Sequence, residues 1–154
     1  MRGNWLLAML VAVLVVACSG PNAAHYEAVL DELSIPAGWE LVHTTVRAPG
    51  GEIDCAPILT SYCPSVARYY LVDAGAAIDA YRKAKQLLID AGSEIQDEFL
   101  PTCDTSTSGA ACTVVAALDS DIVEVAVHNP GDDTDGLGIA QKGRSIVRVT
   151  ARGK

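Results

Sequence analysis

The sequence predicts a two-layer α+β domain, with two helices packed on one face of a mostly antiparallel sheet of about six strands. Three observations predict it. Two segments repeat apolar residues at three- and four-residue spacing, as amphipathic helices do. Six shorter segments alternate or run apolar and are bounded by Gly, Pro, Asn or Asp, as strands are. Most of these connect through turns, the pattern of an α+β domain. A chain of 154 residues holds one such domain, because two would each lie near the lower size limit.

The elements follow in order. Residues Ala23 to Leu33 place Tyr26, Val29, Leu30 and Leu33 on one helical stripe, and Pro36-Ala37-Gly38 ends it. Trp39 to Val46 alternates as a strand, with Glu40, Val42, Thr44 and Val46 on one side. Val66 to Val72 is a second strand, with Tyr69 and Leu71 on one face and Arg68 and Tyr70 on the other. Asp73 can cap the next helix, Ala76 to Ala91, whose stripe is Ile78, Tyr81, Ala84 and Leu88. Gly92 suits the left-handed position after its end. Glu94 to Leu100 is a strand stopped by Pro101. Cys112 to Leu118 and Asp121 to His128 form a hairpin around Asp119-Ser120. The first of these is apolar on both faces and is expected to be central. Ser145 to Ala151 closes the chain, with Arg144, Arg148 and Arg152 on one side and Val147, Val149 and Ala151 on the other. The helices should cover one sheet face and leave the other solvated.

Charge narrows the function. With 11 Lys plus Arg against 19 Asp plus Glu, the formal charge is −8, which argues against nucleic acid as a partner. No Gly-x-Ser-x-Gly elbow is present. His43 and His128 fall where exposed histidines are the default, and His25 stands close to the N-terminal segment, so no catalytic residue is assigned. The cysteine spacings are wider than those of structural zinc sites, and no C-x-x-C motif occurs. Asp132-Asp133-Thr134-Asp135-Gly136 concentrates carboxylates but fails the EF-hand template, since Gly131 and Lys142 would occupy its first and twelfth positions. No metal or cofactor is expected.

Arg47, Arg68, Arg144, Arg148 and Arg152 could share the open sheet face, near Glu98 and Glu124. From this set and the adjacent aromatics, Arg47, Arg68, Tyr70 and Arg148 are the candidate ligand-binding residues. Trp39, Tyr62, Tyr69 and Tyr70 cluster around the first two strands, where they serve a core more readily than a pocket.

The N-terminus carries the most specific signal. After Met1-Arg2-Gly3-Asn4-Trp5, residues Leu6 to Ala17 are uninterruptedly apolar. Twelve helical residues span ~18 Å, short of the ~30 Å hydrocarbon core of a bilayer, so the stretch reads as a secretory signal rather than a lasting span. Val15-Val16-Ala17-Cys18 then resembles the lipobox of bacterial lipoproteins. The resemblance implies diacylglyceryl transfer to the Cys18 thiol, cleavage after Ala17, and a domain held on the extracytoplasmic face of the cell membrane. It divides the chain into a signal peptide (1–17), a tether (18–23) and one α+β domain (24–154). Removing residues 1–17 takes away Arg2 and no acid, so the processed chain has 10 basic and 19 acidic residues.

Cysteine parity agrees. Of five cysteines, Cys18 goes to lipid, and Cys55, Cys63, Cys103 and Cys112 form an even set. In an oxidising compartment these read as two disulfides with three possible pairings. Proximity favours Cys55–Cys63 and Cys103–Cys112, each stabilising by roughly 2.5 kcal/mol in the chain-entropy picture.

Pro36-Ala37-Gly38-Trp39-Glu40-Leu41-Val42, Cys63-Pro64-Ser65-Val66-Ala67-Arg68-Tyr69-Tyr70 and the later cysteine pair, with the lipobox, make the chain similar to small lipoproteins of high-GC Gram-positive bacteria. That group implies no activity. The expected function is therefore a non-catalytic binding or interaction domain of the envelope, with the membrane as one partner and an envelope protein, polymer or small ligand as another. An envelope hydrolase and a lipid carrier are the alternatives.

Overall fold

A computed structural model describes residues 22–47, 64–73, 77–100, 111–131 and 136–154. Cys18, Cys55, Tyr62, Cys63, Cys103 and the Asp-rich stretch 132–135 lie outside them. The elements run α1 (Ala23–Asp31), β1 (Glu40–Arg47), β2 (Ser65–Asp73), α2 (Ala77–Asp90), β3 (Glu94–Phe99), β4 (Ala111–Leu118), β5 (Asp121–His128) and β6 (Arg144–Gly153). The six strands form one sheet in the order β1-β2-β6-β5-β4-β3, and every neighbouring pair is antiparallel. Among the described residues no helix is long and apolar enough to cross a membrane.

Local chemistry explains the helix ends. Asn22 caps α1, its side-chain oxygen accepting the His25 backbone N–H at 3.1 Å. The helix stops at Asp31, two residues before the expected Leu33, because Pro36 disfavours helical backbone at Ile35 and the chain must turn first. Leu33 nevertheless stays buried beside Tyr26 and Leu30. At the end of α2, Gly92 takes φ +79°. Its N–H donates to Ile89 O, and the Ser93 N–H donates to Leu88 O at 3.0 Å. This reversed closure needs the left-handed backbone that glycine adopts without steric cost.

Alternation along the strands separates the two faces. Val66, Tyr70 and Val72 of β2 share a face with Val114 and Ala116 of β4, Val123, Val125 and Val127 of β5, and Val147, Val149 and Ala151 of β6. Both helices lie on this face, α1 over β2 and β6, α2 over β3, β4 and β5. Tyr26, Leu30, Tyr81, Ala84, Leu87 and Leu88 close the layer from the helix side. Leu87 belongs to the α2 stripe, whereas Ile78 is only half-buried.

Three expectations need correction. The second face is not wholly solvated: Leu137, Ile139 and Ala140 fold over Ala67, Tyr69, Leu71 and Ile146 and make a smaller apolar cluster. The alternation of β1 breaks, because a register shift between Leu41 and His43 turns Val42 toward that second cluster and leaves Thr44 and Val46 opposite Arg68 and Val66. The central strands are β6 and β5; β4 is paired on both sides but adjoins the edge strand β3.

The helix-facing core dominates stability. Leu88 has no exposed surface and its neighbour Ile89 is 46% exposed, so the pair separates burial from helix propensity. Leu88→Ala should cost about 2–5 kcal/mol, and Ile89→Ala under about 1 kcal/mol, in chemical denaturation. Equal losses would show that the α2 stripe is misassigned.

Candidate anion-binding groove

The open face is built in rungs across the sheet. Arg47 of β1 stands opposite Ser65 of β2, which stands opposite Arg152 of β6. The next outward-facing rung is Thr45, Ala67, Thr150 and Glu124. The third is His43, Tyr69, Arg148 and Ala126. Small side chains on the first two rungs leave the sheet uncovered between the arginines. Tyr69 and Leu137 wall the far side. The result is a groove of about 680 Å³ lined by Thr45, Arg47, Ala67, Arg148, Thr150 and Arg152, with Glu124 at its margin.

Strand geometry fixes the spacing. Two inter-strand steps of ~4.8 Å put the Arg47 and Arg152 backbones ~10 Å apart, and four residues along β6 put Arg148 ~13 Å from Arg152. Guanidinium groups on side chains of that length can converge on one small anion between them. Glu124 accepts from Arg148 at 3.3 Å, each side chain being 27% exposed. Among the described residues Arg152 makes no ion pair. Three arginines face one carboxylate in the groove lining, in a chain whose formal charge is −8.

The structure splits the expected ligand-binding set. Arg47 and Arg148 line the groove, but Arg68 and Tyr70 face the helices. Arg68 donates to Asp31 of α1 at 2.6 Å and tethers the end of that helix. Tyr70 is buried in the core with its ring 5.9 Å from Trp39. Burial pushes the Tyr70 hydroxyl up, against the lowering pull of nearby Arg68. The reason is parity: Arg68 and Tyr70 lie an odd number of positions from Tyr69, and successive side chains alternate faces. Arg152 joins the groove from the wider arginine set. Arg144 remains on the open face but at its other end, where it meets Glu40 at 2.7 Å, Asp73 at 3.2 Å and the Leu71 carbonyl at 3.1 Å.

Glu98 also moves to the helix side. It accepts from the Tyr81 hydroxyl at 2.8 Å and from Lys85 at 2.5 Å, fastening β3 to α2. The hydrogen bond from Lys85, with that from Tyr81, holds the Glu98 carboxyl below its ordinary range. Burial, and then the Glu98 carboxylate, raise the Tyr81 hydroxyl above its own.

The histidines occupy three different settings. His43 is exposed and its ring lies tilted against that of Tyr69, centroids 5.8 Å apart. His128, expected at the surface, is instead 5% exposed, because it closes a central strand. His25 Nε2 lies 2.8 Å from the buried carboxylate of Asp121 and joins the start of α1 to the start of β5. Such a pair resembles the base and orienting acid of a hydrolase, yet no histidine lines the groove among the described residues. A smaller hollow of about 150 Å³ lies at the far end, between Trp39, Lys83 and Ser145. Cys112 is buried and disulfide-bonded; its partner lies outside the described residues. Among the described residues no three His, Cys, Asp or Glu side chains gather as a metal site.

Comparison of the chain with family models, with curated proteins and with solved structures finds no match.

The lowered Glu98 value gives a signed pH prediction. A carboxyl held below its unfolded value, ~4.3 for Glu, adds stability that is complete above that value and fades as pH falls through the folded one. Glu98→Gln should therefore be less stable than the wild type at pH 7, with the gap in Tm closing toward pH 3. A gap that stays constant over that range would remove the Lys85–Glu98–Tyr81 contact as its cause.

Proposed function

We propose that this chain is a lipid-anchored, non-catalytic binding domain of the cell envelope, and that its groove takes an anionic ligand. The observation that carries the ligand class is the concentration of Arg47, Arg148 and Arg152 around a floor of Ala67, Thr150 and Ser65 in an otherwise acidic chain. Guanidinium groups recognise phosphate and carboxylate through charge-assisted, often bidentate, hydrogen bonds. A lipid carrier would need an enclosed apolar cavity for acyl chains. The groove is open and edged by arginine, which suits a headgroup or other small anion better.

The anchor rests on the twelve apolar residues Leu6 to Ala17, which end in Val15-Val16-Ala17 and are followed at once by Cys18. Thioether formation needs a thiol, and peptidase access needs a small residue beside it; Cys18 and Ala17 supply both. Two or three acyl chains hold a protein durably at a bilayer, whereas one binds only marginally.

Two measurements test the parts separately. Expressed in a bacterial host, the Cys18→Ala chain should remain unprocessed or leave the membrane fraction; mature Cys18→Ala protein still held in the membrane would falsify the anchor. For the groove, titration of the wild-type protein with inorganic phosphate should shift the guanidinium NMR resonances of Arg152 and Arg148. Arg152→Gln should weaken that binding about 3- to 10-fold, the loss expected for one charge-assisted contact near the surface. Shifts confined to Arg82, on the far side of the helix layer, would discard the groove as the site.

A further inference from the structure

The smaller hollow, of about 150 Å³, lies on the helix side of the sheet beneath the first turns of α2. Its floor is the rung in which Val72 of β2 stands opposite Ser145 of β6. Ser145 continues the helix-facing row of Val147, Val149 and Ala151, but sets a hydroxyl where those residues set methyl groups. Ala80 of α2 adds only a small side chain from above, and Trp39 closes the other side. The indole is held in place. Gly38, at φ +89°, closes a turn in which the Trp39 N–H donates to the Pro36 carbonyl at 3.2 Å. The ring itself packs against Tyr70, centroids 5.9 Å apart.

Two donors in this lining lack an acceptor. Ser145 is 1% exposed, and its buried hydroxyl has no hydrogen-bond partner among the described residues. Such a group costs free energy until an acceptor reaches it. Lys83 stands three residues after Ala80 on the same helix face, and forms no ion pair among the described residues. Two carboxylates share the lining. Asp73 meets Arg144 Nε at 3.2 Å and Asp79 meets Arg82 at 3.0 Å, each through Oδ1. The Oδ2 atom of each remains able to accept.

The hollow thus joins two donors, two acceptors and an aromatic wall. A plain anion would meet two carboxylates there, and a plain amine would meet the ammonium group of Lys83. A zwitterion satisfies both signs at once. The volume matches roughly five water molecules and falls below the ~300 Å³ at which pockets for drug-sized ligands begin. It therefore admits one small unit.

We propose that this hollow binds a free α-amino acid with a small apolar side chain. The ligand carboxylate accepts from the Ser145 hydroxyl and the Lys83 ammonium. The ligand ammonium donates to Asp73 and Asp79, and its side chain lies against Trp39 and Val72. The site is on the opposite sheet face from the arginine groove and shares no residue with it.

The test titrates the full chain with L-valine and follows the indole N–H resonance of Trp39 by NMR. Trp39→Phe tells that resonance from the second tryptophan's. Valine in the millimolar range should shift it saturably, and sodium chloride at equal concentration should not. Isovalerate lacks the ammonium and isobutylamine lacks the carboxylate. Each should bind about tenfold more weakly than valine, having lost its charge-assisted contacts at one end. Ser145→Ala should weaken valine binding about 3- to 10-fold while leaving Tm unchanged or raised, because it removes a hydroxyl that has no partner in the free protein. Lys83→Gln should weaken valine and isovalerate binding and leave that of isobutylamine no weaker. No saturable shift with valine overturns the proposal. Isovalerate binding as tightly as valine overturns the zwitterion as the ligand. Valine affinity unchanged in both variants overturns the hollow as the site.

Discussion

The register of β6 is the constraint on which the rest depends. It is hydrogen-bonded to β2 on one side and β5 on the other, so its alternation is imposed on the whole middle of the sheet. Val147, Val149 and Ala151 face the helices, and Ile146, Arg148, Thr150 and Arg152 face away. A slip of one residue would bury two guanidinium groups under α1 and expose three core side chains. The cost of that slip, set against a typical net stability of about 5–15 kcal/mol, leaves one viable register. Core and groove are two sides of the same choice.

Polar contacts then fix how the helices sit on that sheet. His25–Asp121 and Arg68–Asp31 hold the two ends of α1, over β5 and β2 respectively. Glu98 gathers Tyr81 and Lys85, which lie one turn apart on α2, and so fastens the edge strand β3. Apolar burial brings the layers together without specifying direction; these directional contacts select one placement. Each uses a residue that a linear reading could take for a functional one.

Much of the architecture was legible from the sequence because it depends on periodicity. The stripes Tyr26–Leu30–Leu33 and Tyr81–Ala84–Leu88 locate the helices, and the two-residue turn Asp119-Ser120 locates the hairpin, with Asp119 at φ +52°. Alternation in β6 correctly assigned its arginines to one face. The groove was only partly legible. Arg47 and Arg148 belong to it, but Arg68 and Tyr70 were placed with them for want of strand order: which face of β2 meets the helices depends on pairing between residues some eighty positions apart, as in Arg68 opposite Val149. The bulge in β1 and the cover given by Leu137 to Ala140 leave no periodic trace. His128 was misjudged because its burial comes from the neighbouring strands and not from its own segment.

Both outer strands of the sheet carry an irregularity, between Leu41 and His43 in β1 and between Ile95 and Asp97 in β3. Each interrupts the row of backbone donors and acceptors that an unpaired strand would otherwise offer to another chain. Charged side chains reinforce it on β3, where Glu94 and Asp97 stand exposed. A sheet with both borders broken in this way offers a neighbouring copy no regular strand edge on which to extend into a continuous ribbon.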